Sequence, residues 1–261
     1  MNNHEIDYKL FGEEMQCVEI ELDPQEAVIA EPGSFMMMTD GIQMQTLFGD
    51  GNESGFMSKL FSAGKRVLTG ENLFMTVYTN NSSLKRQVTF AAPYAGKILP
   101  MDLARLGNKI ICQKDSFLCA AKGVSVGIEF QKKLGTGLFG GEGFIMQKLE
   151  GDGLAFVHSG GHVIEKQLQA GEVLKIDTGC IVAFTADVQY DIQFVGGIKN
   201  TLFGGEGIFY AVLRGAGTVW IQTLPISRLA SRILSYGSVG GRKEEGSILG
   251  GLGNLFDGDG V

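Results

Sequence analysis

The chain has 261 residues, of which 44% are hydrophobic and 39 are glycine, and its formal net charge is −7. Plentiful Val, Ile, Leu and Phe exclude a wholly disordered chain, and glycine without a regular period excludes a collagen-like one. The acidic balance argues against nucleic-acid binding, and no apolar stretch approaches the length of a membrane helix.

The first predicted β-unit covers residues 1–79. It contains the alternating segment "CVEIEL", which ends at Leu22, and then "AEPGSFMMMTDGIQMQ", where a polar turn and Ser34 precede an apolar strand. The step Gly70-Glu71 opens its last strand. Alternating apolar residues rich in aromatic and β-branched types favour half-buried strands. An insertion near 47–61 makes this unit longer than the two that follow.

The second predicted unit covers residues 80–150 and the third covers residues 151–224. Their segments "CQKDSFLCAAKGVSVGIEF" and "IDTGCIVAFTADVQYDIQF" follow the same plan as the first unit. The landmark leucine precedes the landmark small residue by 12, 13 and 12 positions in the three units. Nearly constant spacing of independent landmarks indicates an internal repeat. The landmark residues are Leu22, Leu103 and Leu168, followed by Ser34, Ser116 and Cys180.

A glycine-rich turn recurs in all three units. We interpret it as a structural turn, in which glycine adopts a positive φ and glutamate accepts hydrogen bonds from turn N–H groups. The alternative is that the three glutamates converge on a cation around a pseudo-threefold axis, but without an ion they would repel one another. The predicted repeat turns are Gly70, Glu71, Gly141, Glu142, Gly143, Gly205, Glu206 and Gly207.

Two other motifs resemble known binding sites. The segment "GTGLFG" (135–140) matches a dinucleotide fingerprint, but glycines and β-formers follow it where the fingerprint requires a helix. The motif "HSGGH" places His158 and His162 across a glycine turn, which favours surface or turn histidines over metal ligands. We therefore predict no catalytic residue, no metal and no cofactor, and we expect that the protein is not an enzyme.

The C-terminal part differs from the three units. The segment "ISRLASRILSY" after Pro225 has a short apolar stripe, which predicts a helix over residues 225–236. Residues 237–261 are rich in glycine and charge, and we expect a mobile tail.

Together, the three "GE" strand starts, "AEPGSFMMMTDGI" and "LPISRLA" resemble a bacterial family of uncharacterised proteins related to a mitochondrial inner-membrane biogenesis protein. This resemblance implies a fold like the tryptophan RNA-binding attenuation protein. The expected architecture is all-β, with three tandem units of short double-stranded β-helix (sandwich-like) type around a pseudo-threefold axis. It also implies a homo-oligomer, with a trimer favoured.

We expect a non-enzymatic, self-assembling β-protein that acts as a scaffold or an interaction module. The alternative is a small-molecule-binding protein with ligand sites between β-units or subunits. The start "MNNHEIDYKL" lacks the apolar core of a signal peptide, which predicts a cytoplasmic protein. No nucleic-acid partner is expected, and the sequence does not favour membrane contact.

Overall fold

The computed structural model describes residues 5–48, 74–132, 144–194 and 209–237. Within these ranges the chain forms nineteen β-strands, two short 3-10 turns and one α-helix. The predicted all-β class with one short helix near the C-terminus is therefore confirmed. In the same ranges, no helix has the length and apolar character needed to cross a membrane.

Alternation along the sequence sets the strands. In β2, Val18, Ile20 and Leu22 are buried while the residues between them are half-buried, as period-2 packing requires. The strands are β1 (Asp7–Phe11), β2 (Cys17–Leu22), β3 (Ala27–Ala30), β4 (Phe35–Met38), β5 (Ile42–Phe48), β6 (Phe74–Asn80), β7 (Arg86–Ala91), β8 (Gly96–Asp102), β9 (Lys109–Gln113), β10 (Phe117–Ala121), β11 (Ser125–Lys132), β12 (Phe144–Glu150), β13 (Leu154–Gly160), β14 (Val163–Leu168), β15 (Val173–Asp177), β16 (Ile181–Thr185), β17 (Gln189–Phe194), β18 (Phe209–Arg214) and β19 (Gly217–Gln222).

The helix α1 spans Ile226–Gly237, within one residue of the predicted bounds at each end. It begins directly after Pro225, whose missing N–H group is tolerated at a helix start. The chain divides into two compact units, Met1–Ser227 and Arg228–Val261, and the first holds all the described strands.

The strands form four sheets, and all their pairings are antiparallel. Sheet I has the order β1-β2-β7-β4, and sheet II has the order β5-β6-β3-β10-β13-β8. Sheet III has the order β11-β12-β9-β16-β19-β14, and sheet IV has the order β15-β18-β17.

The strand order recurs with a step of six. Adding six to each strand number of sheet II gives sheet III. The run β2-β7-β4 of sheet I and the whole of sheet IV continue the same series at its two ends. Strands β4, β10 and β16 therefore correspond to one another, as do β3, β9 and β15. The pseudo-threefold axis and the unit boundaries at residues 79, 150 and 224 stay predictions.

The sheets are stacked in the order I, II, III and IV. Tyr78 of sheet II packs against Phe35 and Phe90 of sheet I, with ring centroids 5.6 and 5.1 Å away. Trp220 of sheet III joins the core cluster of sheet II, and Tyr190 of sheet IV lies 5.1 Å from Phe184 of sheet III. The central strands of sheets II and III, β3, β10, β9 and β16, are buried on both faces, so they are apolar along nearly their whole length.

Candidate functional site

Strand β4 is an apolar strand at the edge of a sheet. Among the described strands it is hydrogen-bonded to β7 alone, on one side. Its residues Phe35, Met36, Met37 and Met38 are 40, 54, 52 and 39% exposed. Phe and Met are usually buried, and an apolar edge with unpaired backbone groups is a template for another strand.

The two strands that correspond to β4 are covered. Strand β10 is hydrogen-bonded to β13 on one side and to β3 on the other, and β16 lies in the same way between β19 and β9. All of β10 is buried, as are four of the five residues of β16. All three strands are apolar. Among the described strands, β4 differs from β10 and β16 in lacking a second neighbour rather than in its type of sequence.

A shared irregularity supports this correspondence. The pairing register shifts between Phe35 and Met37 in β4, where the strand meets β7. It shifts at the matching place in β10, between Phe117 and Cys119, and in β16, between Ile181 and Ala183. A bulge at one fixed position bends each strand alike, so β4 has the backbone shape of its covered counterparts.

Strand β15 is the second edge of this kind. Among the described strands it is paired with β18 alone, and its Val173 is 50% exposed. Its counterparts β3 and β9 are paired on both sides, and β3 is wholly buried. Strands β5, β11 and β17 are edges at all three corresponding places. Only β4 and β15, among the described strands, lack a neighbour that both their counterparts have.

A separate group of buried polar side chains lies between sheets II and III. Gln147 of β12 is directly opposite Cys112 of β9, and both are 0% exposed. Neither the amide nitrogen nor the amide oxygen of Gln147 has a hydrogen-bond partner. Burial, and to a smaller degree the charge of Glu31, raises the pKa of the Cys112 thiol to about 12. The thiol is therefore protonated at neutral pH and is a poor nucleophile.

Glu31 follows strand β3, and its backbone N–H donates to the carbonyl of Leu118. Burial raises the pKa of its carboxyl to about 7. The positive charge of Lys114 opposes this shift, and the negative charge of Asp115 adds to it. This half-buried carboxyl therefore changes charge near neutral pH.

His158 is buried rather than at the surface or in a turn, which corrects the expectation for the motif "HSGGH". Its Nε2–H donates to the carbonyl of Tyr94 over 3.0 Å, and its Nδ1 has no partner. Burial lowers its pKa to about 4, so the imidazole is neutral at physiological pH. His158 is buried because β13 lies between β8 and β10 in sheet II. The glycine-rich motif alone does not show this pairing of distant strands.

Gln147 and Gln222, two of the buried glutamines, make a matched test of these contacts. We expect Gln147→Met to raise the free energy of unfolding by about 1–2 kcal/mol, because it removes an unsatisfied buried amide. Gln222 accepts from the N–H of Gly160 and donates to the carbonyl of Gly179. Gln222→Met should therefore lower that free energy by about 1–3 kcal/mol. Urea unfolding of both variants measures the difference, and equal signs would contradict it.

Glu31 predicts a pH dependence of stability. Its pKa is raised in the folded state from 4.5 to about 7, so its stabilising effect is complete below pH 4.5 and is lost as pH rises through 7. We expect Glu31→Gln to match the parent near pH 4.5 and to exceed it in stability near pH 8. The two curves should separate by at most about 1.4 kcal/mol per pH unit. Urea unfolding across this range measures it, with exposed Glu13→Gln as the control; parallel curves would contradict the prediction.

The predicted repeat turns, Gly70, Glu71, Gly141, Glu142, Gly143, Gly205, Glu206 and Gly207, lie outside the described residues. The structural role of these turns, and the alternative of a shared cation, therefore stay predictions. The same holds for the "GTGLFG" segment. Within the described ranges, no group of three or more His, Cys, Asp or Glu side chains could hold a metal ion.

The edge strand was missed in the sequence, although a signal exists. The run Phe-Met-Met-Met occupies the place of "FLCA" in β10 and "IVAF" in β16. Methionine is flexible and is common at adaptable binding surfaces. Three consecutive methionines, where β10 has Leu-Cys-Ala and β16 has Val-Ala-Phe, are the feature that could have indicated an interface.

Comparisons with known proteins agree with the fold. An uncharacterised protein of Streptococcus pyogenes serotype M6 is 28% identical over 221 residues, covering 84% of this chain and 86% of that protein. The X-ray structure of a Streptococcus pyogenes protein superposes with a TM-score of 0.71 at 21% identity, covering 89% of this chain and 100% of that one. At 21% identity, the likeness to this X-ray structure shows a shared fold alone. The likeness to the tryptophan RNA-binding attenuation protein stays a prediction.

The family assignment rests on a match along most of the sequence. A family model described as "Mitochondrial biogenesis AIM24" matches residues 8–224, a range that holds nearly all the described strands. The resemblance noted in the sequence to a mitochondrial biogenesis protein is thereby confirmed. The chain belongs to the AIM24 family.

Proposed function

We propose that this protein is a self-assembling β-protein that acts as a scaffold or interaction module rather than as an enzyme. One observation carries the proposal: β4 is exposed at a sheet edge where both of its counterparts are covered by another strand. Complete burial of a Met or Phe side chain contributes about 1.5–3 kcal/mol, so covering four half-exposed ones favours association.

The interior polar residues support the non-enzymatic part of this proposal. The Cys112 thiol is protonated and the His158 imidazole is neutral at physiological pH, and both are fully buried. A nucleophile and its base must be within hydrogen-bond reach of each other and of a substrate. Buried side chains held in their uncharged forms suit packing better than nucleophilic catalysis.

The assembly that we propose is a closed trimer in the cytoplasm. Each copy has two different open edges, β4 and β15. Both edges of every copy can be paired only when the assembly forms a closed ring. The trimer follows from the family resemblance, and the net charge of −7 supports an assembly without nucleic acid.

Native mass spectrometry of the full chain, purified from its own host, tests the proposal. The expected species has three times the 28.0 kDa mass of one chain, without additional mass. A monomer throughout the micromolar range would overturn self-assembly. A different closed multimer would overturn the trimer and leave self-assembly standing.

One observation favours the second candidate, a small-molecule-binding protein. The amide of Gln147 offers an unused donor and an unused acceptor beside Cys112, close enough to Glu31 for its charge to act on that thiol. A small polar ligand there would appear in the same mass spectrum as a stoichiometric added mass. That mass should be absent from Gln147→Met, and its persistence in the variant would place the ligand elsewhere.

A further inference from the structure

We propose that strand β15 of one copy pairs antiparallel with strand β4 of a second copy, with Met37 directly opposite Ile176. This inference rests on the proposed self-assembly and names both its partner and its register. Every copy has one β4 edge and one β15 edge, so every copy can form this contact with two neighbours.

The series of pairings within one chain predicts this contact. Strand β3 pairs with β10, and six strands later β9 pairs with β16. A further step of six leads from β9 to β15. The partner of β15 would then be the strand that follows β4, β10 and β16 in their series. This chain has no such strand beyond β16 among its described elements, whereas β4 of another copy is that strand with its edge open.

The register follows from the two existing junctions. Cys119 is opposite Ala30 in the first, and Ala183 is opposite Cys112 in the second. In both junctions the residue on the second strand lies three positions after the landmark small residue of its unit. The residue on the first strand lies four positions before the landmark of its own unit. The same offsets from Ser34 and Cys180 select Met37 and Ile176.

The side chains fit this register. Leu174 and Ile176 already pack against the core between sheets III and IV. The counterparts of Met37, which are Cys119 and Ala183, are fully buried at their junctions. Pairing Met37 with Ile176 therefore places an apolar side chain beside an apolar one and extends that core from one copy into the next.

The contact is heterologous, because the two edges differ. A dimer formed in this way still has one open β4 and one open β15, so association continues until a ring closes. A pairing of β4 with another β4 would instead end at a dimer and leave both β15 edges open.

Backbone hydrogen bonding makes this register suitable for cross-linking. Glu31 donates its N–H to Leu118, which lies opposite it, so the next pair, Ala30 and Cys119, is a non-hydrogen-bonded pair. Such pairs have Cα atoms about 4.5 Å apart, within the range that a disulfide spans. Met37 and Ile176 should form a pair of the same kind.

The test uses two full-length chains with different affinity tags, co-expressed with Cys17→Ala and Cys180→Ala in both. One carries Met37→Cys and the other carries Ile176→Cys. Mild oxidation is expected to give a disulfide-linked dimer that contains both tags, and no dimer when either chain is expressed alone. The control replaces Met37→Cys with Met38→Cys, whose side chain points to the opposite face of the strand, and it should cross-link poorly.

The outcomes separate the two proposals. A dimer from Met37→Cys alone would show β4 against β4 and overturn the inference. An oligomer in native mass spectrometry of the same co-expressed pair, without the mixed disulfide, would overturn the pairing while self-assembly stands. A monomer of the unsubstituted chain in that measurement would overturn both.

Discussion

Met37→Asp is expected to weaken the association between copies about 100- to 4000-fold. The counterparts of Met37 at the two junctions within the chain are fully buried, so the new carboxylate would be buried without a partner. An uncompensated buried charge costs about 3–5 kcal/mol, and each 1.4 kcal/mol changes a dissociation constant tenfold. Sedimentation velocity across a concentration series measures the shift from assembly to monomer.

Met44→Asp is the matched control. Met44 is 54% exposed, close to the 52% of Met37, and it lies on β5, an edge strand whose counterparts β11 and β17 are also edges. Its substitution should leave association unchanged. Both variants should still unfold in a single cooperative transition, which shows that each chain remains folded. Equal association of Met37→Asp and Met44→Asp would contradict the role assigned to β4.

Gly96→Ala is expected to destabilise the fold by about 4 kcal/mol or more, or to prevent folding. Gly96 begins β8 opposite Gly160 of β13, and a Cβ atom there would lie 1.7 Å from the carbonyl oxygen of Ser159. That oxygen belongs to the backbone of β13, and β10 pairs with Ala155, Phe156 and Val157 of the same strand, which restricts how far the oxygen can move. Losses of this size arise where packing cannot relax. Urea unfolding followed by circular dichroism measures the loss.

Gly127→Ala is the control for this substitution. Gly127 also lies in a strand, and its added Cβ would approach the flexible side chain of Lys148, with the nearest atom, Cε, at 3.2 Å. Because that side chain can move, the change in the free energy of unfolding should stay within about 1 kcal/mol. A loss at Gly96 no larger than that at Gly127 would show that the backbone of β13 is able to shift.

The strands and the helix could be predicted because their causes are local. Alternation in β2 and the apolar stripe after Pro225 are patterns within a few residues, and each gave the right element type. The open edge of β4 could not be predicted in this way. Its residues are as apolar as those of β10, and only the pairing of distant strands shows that one is covered and the other is not.

The buried polar residues show the same limit. In "FIMQKLE" of β12, Gln147 would be assigned to a solvent-facing position, yet it is fully buried because sheet III is covered on both faces. Its counterparts in the strand order are Thr76 of β6 and Ala211 of β18, which need fewer hydrogen bonds. The stacking of sheets, rather than the local pattern, decides which polar groups lose their water.

The step of six strands has a consequence for ancestry. The same strand pairing would join neighbouring modules within one polypeptide and modules of separate polypeptides. A seam of this kind does not depend on whether the two modules are covalently linked. A gene lengthened or shortened by one module would then change how many molecules complete a circle, while every seam in it stayed the same. Fusion and fission of such genes would be tolerated by selection, because neither leaves an exposed strand edge that cannot pair with a neighbouring module.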